Sequence, residues 1–232
     1  MKIQQFNSEE EWITAALDYI KDLAPTSVGL SGGSTPQPLY RALKNTGFNK
    51  GIEYFQVDER LVPVDHSNSN QKMIRETLNP ENFHFFEPSP GTGNLQSSQN
   101  IVSSEKSSRD EPVNPKEIPK ILESYAAQLP HQLDLCILGI GPDGHTASLF
   151  PHSPALQSKE KTAHTTTEEF AIKDRLTLTF PTILNSKNLL VLLKDPSKQT
   201  ILDELQTPTK TPEEFPAHML KNHDTLTILH LN

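Results

Sequence analysis

The apolar run Leu133-Asp-Leu-Cys-Ile-Leu138 breaks abruptly into Gly139-Ile-Gly-Pro-Asp-Gly-His145. A run this short and this apolar reads as a strand covered on both faces, which is the habit of parallel sheets. Gly139, Gly141 and Gly144 then let the backbone turn sharply and approach a ligand closely, because glycine has no Cβ. Into that turn the sequence sets one carboxylate, Asp143, and one imidazole, His145. In an open α/β sheet, ligands bind beyond the carboxyl ends of the strands. A histidine there titrates near neutral pH and can take a proton from water. The loop is therefore read as catalytic.

Short apolar runs alternate with helical patterns along the rest of the chain. Ser8-Glu-Glu-Glu11 has capping-box spacing, and Trp12, Ile13, Ala16, Leu17 and Ile20 recur at helical intervals after it. Strands are expected at Val28–Leu30, Tyr54–Val57, His84–Phe86, Leu176–Leu178, Leu189–Leu193 and Leu226–Leu231. Helices are expected at Pro36–Leu43, with Thr35 as N-cap and Pro36 at the first position, and at Ser69–Leu78, Ile118–Leu129 and Ser197–Leu205. This alternation predicts an α/β, three-layer Rossmann-like fold, its mostly parallel sheet covered by helices on both faces. At 232 residues the chain is expected to form one domain over 1–232. The segment at about 89–116 is rich in Ser, Asn, Pro, Gly and charge, and reads as a low-complexity surface insertion.

The net charge of −8 argues against nucleic acid and anionic membranes as partners. An anionic substrate then needs local Arg and Lys. Cys136 is the single cysteine and lies in the apolar run, so it reads as a small core residue in a reducing compartment. Met1 leads into polar residues, and no apolar run approaches the ~20 residues of a membrane span. A cytoplasmic location is expected. No Cys/His spacing suits a metal. The histidines other than His145 have no partner spacing and are expected in surface loops.

Three further segments carry chemistry. Leu30-Ser-Gly-Gly-Ser-Thr-Pro36 joins a strand to a helix, and backbone N–H groups at such a junction suit a phosphate. The lysine of a P-loop and the spacing of a dinucleotide fingerprint are both missing, and a plain tight turn explains the segment about as well. Val57-Asp-Glu-Arg60 places Asp58, Glu59 and Arg60 at a strand's carboxyl end. Arg175 opens a later strand and Lys198 follows another; together they could grip a phosphate, Arg bidentately and Lys as a point charge.

In this order the segments make the chain resemble the 6-phosphogluconolactonase family. The matching stretches are Leu30–Pro36, Val57-Asp-Glu-Arg-Leu-Val-Pro63 with Ser69-Asn70, Leu138–Pro151 and Arg175-Leu-Thr-Leu-Thr-Phe-Pro181. The resemblance implies the Rossmann-like fold, no metal or other cofactor, and hydrolysis of 6-phospho-D-glucono-1,5-lactone to 6-phosphogluconate in the oxidative pentose phosphate pathway. It implies His145 as general base. The phosphorylated sugar lactone would be held by Gly32, Gly33, Ser34 and Thr35 of the Ser31–Thr35 loop, with Asn70, Arg175 and Lys198. A monomer or weak homo-oligomer is expected. One departure stands out: the family tends to carry a glycine-bearing turn before the lysine, and here the turn is Lys194-Asp-Pro-Ser197.

A δ-lactone is an activated ester, so His145 would need only to deprotonate a water that attacks the carbonyl. Arg60 or the glycine-loop N–H groups are candidates to hold the oxyanion. Asp143 or Glu59 would orient the imidazole, and both stay open at this point. Two other readings compete. Glucosamine-6-phosphate deaminases share the Asp-Gly-His core, but typically continue Ile-Ala-Phe-Asn-Glu where this chain has Thr146-Ala-Ser-Leu-Phe150, and carry Tyr in place of Arg60. A non-catalytic sugar-phosphate sensor would bring a DNA-binding helix pair and a basic surface.

Overall fold

The computed structural model describes residues 1–48, 50–87 and 114–232. In chain order the regular elements are β1 (Lys2–Phe6), α1 (Glu9–Leu23), β2 (Ser27–Leu30), α2 (Gln37–Asn45), β3 (Glu53–Gln56) and β4 (Asp58–Arg60). Next come α3 (Asn70–Thr77), β5 (Asn82–His84), α4 (Ile118–Gln128), β6 (Leu135–Leu138) and β7 (Thr162–Thr166). The chain closes with β8 (Asp174–Leu178), α5 (Phe180–Leu184), β9 (Leu189–Lys194), α6 (Gln199–Gln206) and β10 (Leu226–Leu231). The expected insertion at about 89–116 falls, as far as residue 113, outside the described residues.

Seven strands form one sheet in the order β1-β10-β9-β6-β2-β3-β5, and every neighbouring pair is parallel. From β2 the chain builds outward to β3 and β5; from β6 it builds the other way to β9 and β10. The direction of winding therefore reverses between the adjacent strands β2 and β6. Loops leaving their carboxyl ends diverge there and open a crevice, which is where ligands bind in such sheets.

Both faces of the sheet are covered, which explains the uninterrupted apolar runs. Leu135 and Ile137 of β6 pack into one core with Trp12, Leu39 and Ile74 of α1, α2 and α3. Cys136 and Leu138 pack into the other, with Ile121, Ile183 and Ile201 of α4, α5 and α6. β9 divides in the same way, Leu190 and Leu192 to one side and Leu189, Val191 and Leu193 to the other. Each such leucine stabilises the fold by about 1.5–3 kcal/mol through burial. Ser8 caps α1, accepting from the Glu11 amide at 3.2 Å.

A second, three-stranded antiparallel sheet, β4-β8-β7, stands beside the first. Asp58 faces Thr177 and Arg60 faces Arg175 across it. This corrects the expected extent of the Tyr54–Val57 strand, because β3 stops at Gln56 and the chain changes sheet at Val57 before Asp58. Three further expectations are corrected. The strand expected at His84–Phe86 lies earlier, as β5 over Asn82–His84. Thr35 does not cap α2: Pro36 occupies the cap position and no side chain bonds the free amides. His218 and His230 are buried rather than in surface loops, with His218 bonded to Glu204 and His230 to the Asp195 carbonyl, while His84 and His164 stand in β5 and β7 beside Glu53 and Asp174.

Candidate active site

The loop after β6 folds back on itself. The Gly141 amide donates to the His145 carbonyl at 2.8 Å, and the Thr146 hydroxyl donates to the Gly139 carbonyl at 2.9 Å. Within this loop Asp143 Oδ1 lies 2.5 Å from His145 Nδ1 and also accepts from the His145 amide. Burial pushes the Asp143 carboxyl upward, but its hydrogen bond to His145 and the attraction between the two outweigh that and hold it below its ordinary value. An ionised Asp143 fixes the proton on Nδ1 and leaves Nε2 as a free acceptor. The imidazole is walled by Phe150, at 4.9 Å between centroids, and by Phe170 at 5.5 Å. Its side chain keeps 19% exposure, so solvent and a small substrate can reach it.

The second sheet meets this loop through Asp58. Ser148 Oγ donates to Asp58 Oδ2 at 2.8 Å, and the Ser148 amide donates to Thr177 Oγ1. Glu59 does something other than orient His145. Its Oε1 accepts the amides of Asn70 and Arg60, and its Oε2 accepts the Gln71 amide, Gln56 Nε2 and Ser69 Oγ. Both oxygens are spent on the N-terminus of α3 and its surroundings, so the orienting contact belongs to Asp143. Burial pushes the Glu59 carboxyl up, and those donors pull against it.

Arg60 and Arg175 are direct cross-strand partners. Like charges opposite each other destabilise a strand pair unless something negative answers them. Arg60 Nη1 donates to the Asn68 carbonyl at 2.7 Å, and its buried Nε has no partner among the described residues. Arg175 Nε donates to the Ile172 carbonyl at 2.9 Å. Burial first, and then the Arg60 charge, pull the Arg175 guanidinium below its ordinary value.

The loop Ser31–Pro36 leaves β2 beside them. A Cβ on Gly32 would lie 1.9 Å from Asn70 Oδ1, so glycine is what lets the Asn70 amide occupy that space. Asn70 Nδ2 donates to the Asp58 carbonyl at 2.9 Å, while Oδ1 is buried with no partner among the described residues. Ser31 Oγ is unpartnered in the same way. Gly33, Ser34 and Thr35 complete the turn into α2. Lys198 follows β9, and its Nζ donates to the Ile140 carbonyl at 2.9 Å, against the loop that carries Asp143 and His145. Burial lowers its tendency to hold a proton, opposed by the charges of Asp143 and Asp195. The turn before it carries no glycine, and Asp195 itself is held in the strained, glycine-favoured conformation φ 108°, ψ 136°.

The structure thus gathers Asp143, His145 and Lys198 in one cluster and Asp58, Arg60, Asn70 and Arg175 in an adjoining one. Phe170 belongs to both and was not singled out in the sequence, where it stands isolated in a polar loop.

Comparison with known proteins identifies the family. The family described as glucosamine-6-phosphate isomerases/6-phosphogluconolactonase matches residues 7–229. A 6-phosphogluconolactonase of Synechocystis is 34% identical over 202 residues, covering 84% of this chain and 77% of the relative. One from Chlamydia pneumoniae is 30% identical over 203 residues, covering 84% and 70%. The crystal structure of 6-phosphogluconolactonase from Thermotoga maritima superposes with a TM-score of 0.77 at 26% identity, covering 99% of this chain and 98% of that one. With residues 7–229 matched by that family and the parallel sheet shared with the Thermotoga structure, the chain belongs to the family of glucosamine-6-phosphate isomerases and 6-phosphogluconolactonases.

Proposed function

We propose that this protein hydrolyses 6-phospho-D-glucono-1,5-lactone to 6-phosphogluconate, the step that opens the lactone in the oxidative pentose phosphate pathway, with His145 as general base. The observation that carries the reading is the Asp143–His145 pair, 2.5 Å apart in a loop at the sheet's reversal point. With Nδ1–H donated to Asp143, Nε2 takes a proton from water, and the water oxygen attacks C1 of the lactone. General-base help of this type is worth about 10²–10⁴-fold. The tetrahedral oxyanion that forms needs a donor, which Arg60 or the glycine-loop amides supply. When the C1–ring oxygen bond breaks, the imidazolium returns its proton to the departing ring oxygen and His145 is neutral again.

The phosphate is assigned to Arg175, Lys198 and the Ser31–Thr35 loop. A dianion there answers the charge of two facing arginines, Arg60 and Arg175, that otherwise repel. The unpartnered Asn70 Oδ1 and Ser31 Oγ supply acceptors for sugar hydroxyls, since buried polar atoms without partners are costly to keep.

A coupled assay tests this. The lactone is generated in place from glucose 6-phosphate and acid release is followed. The expected result is release well above the spontaneous rate, with no ammonia from glucosamine 6-phosphate. A rate equal to the spontaneous one overturns the proposal, and ammonia release would point to the deaminase branch of the family.

A further inference from the structure

We propose that Phe170 is a positioning residue that, opposite the buried Phe150, completes an aromatic clamp on both the His145 imidazole and the Arg175 guanidinium, so that base and phosphate-binding cation are set together. The inference rests on the lactonase reading above for what those two side chains do.

Phe170 sits in the turn between β7 and β8, among Glu168, Glu169, Lys173 and Asp174. Only Phe170 and Met1 stand out as exposed large apolar side chains among the described residues, and Phe170 keeps 38% of its surface open. A ring left this open forgoes part of its burial free energy, and the contacts it does make offset part of that loss. Two such contacts exist. Its ring meets His145 edge-on, centroids 5.5 Å apart at 77°, which is a favoured aromatic geometry. The Arg175 Cζ lies over the same ring, 5.5 Å from its centroid.

The turn is built to hold the ring in place. Its ends are joined by the Thr167 amide and the Lys173 carbonyl at 3.1 Å, Thr167 Oγ1 accepts the Glu169 amide, and Lys173 pairs with Glu168. Arg175 ties itself to the same turn through Nε and the Ile172 carbonyl. Phe150, buried, closes the opposite wall, 4.9 Å from His145, 5.8 Å from Phe170 and 5.8 Å from the Arg175 Cζ. Asp143 fixes one edge of the imidazole by hydrogen bonding; the two phenyl rings fix the tilt of its plane and hence the direction of Nε2. Without Phe170 the imidazole and the guanidinium are each held on the Phe150 side only, and each regains freedom on the other.

The test compares Phe170→Ala, Phe170→Leu and Phe170→Tyr with the unaltered protein, on phosphorylated and plain gluconolactone. Ala and Leu should each lower kcat on both lactones by about fivefold. They should raise KM by about three- to fivefold for the phosphorylated lactone alone, because only that substrate uses Arg175. Tyr should restore both values. A Leu variant matching the unaltered protein, or a KM change equal on the two lactones, overturns the proposal. Proton NMR gives a readout independent of turnover. The His145 ring signals lie in the ring current of Phe170, so they should shift in the Ala and Leu variants and return in Tyr. If the unaltered protein fails to exceed spontaneous hydrolysis while those shifts appear, the lactonase reading fails and the positioning contact stands. If the shifts are absent, the positioning contact itself fails.

Discussion

Gly141 and His145 compete for one volume: a Cβ placed on Gly141 would lie 2.1 Å from Cε1 of the imidazole and 2.7 Å from Asp143 Oδ1. Glycine is required there by the side chains facing it, and both of those side chains belong to the proposed base. Gly141→Ala should therefore displace the imidazole without unfolding the protein. A misplacement of about 1 Å costs on the order of 10²-fold, so kcat should fall by about that much. Steady-state kinetics beside a thermal melt checks this, and normal turnover in a folded variant would separate the glycine from the chemistry.

Asp143→Asn tests the orienting contact. Asparagine keeps the shape but can present its NH₂ to Nδ1, which favours the tautomer with the proton on Nε2. The expected outcome is a kcat loss of about 10²-fold with KM little changed. The unaltered Asp143 is held below its ordinary carboxylate value, so its contribution is present above that value and disappears only as the pH falls through the lowered one. The orienting contribution of Asp143 should therefore be lost only below the ordinary carboxylate range, and a pH–rate profile set beside that of Asp143→Asn reads it.

Arg175→Ala should raise KM strongly for the phosphorylated lactone, by about 2–5 kcal/mol in binding, and far less for plain gluconolactone. Lys198→Ala should act in the same direction. Its Nζ is held to the Ile140 carbonyl by a turn in which Asp195 adopts the conformation a glycine would favour. Measuring both substrates in both variants decides the matter. Equal losses on the two lactones would move these cations from phosphate binding to folding or to the oxyanion.

Glu59→Gln addresses stability. Five donors converge on the two carboxylate oxygens of Glu59, and the glutamine NH₂ must face some of them. A loss of about 1–3 kcal/mol is expected in chemical denaturation. The pH dependence has a definite sign. Burial raises the folded carboxyl above its ordinary value of 4.5, so the folded state holds the proton longer than the unfolded one. Stability from this group therefore declines as the pH rises through the interval above 4.5, and the Gln variant should lack that slope.

The buried strands β2, β6, β9 and β10 were legible because they are short runs dominated by apolar residues, and the helices because their apolar positions recur at helical spacing. β1 and β7 were not. β1 lies at the edge of its sheet and carries Lys2, Gln4 and Gln5. β7 reads Thr-Ala-His-Thr-Thr, with no apolar alternation to betray it. α5 is only five residues long and contains Pro181, which reads locally as a break. His145 and Asp143 could be found from the glycine loop because the hydrogen bond between them spans two residues. The choice between Asp143 and Glu59 could not be made, since it depends on α3 returning its amides to Glu59 from eleven residues away. The Arg60–Arg175 pairing is likewise a property of the second sheet, whose strand register no local pattern announces.

The central claim is that His145 takes the proton from the attacking water, and turnover of His145→Ala on 6-phospho-D-glucono-1,5-lactone tests it most directly. The account predicts a kcat lower by about 10²-fold or more with substrate affinity nearly unchanged. A folded His145→Ala variant turning over at the rate of the unaltered protein would contradict it.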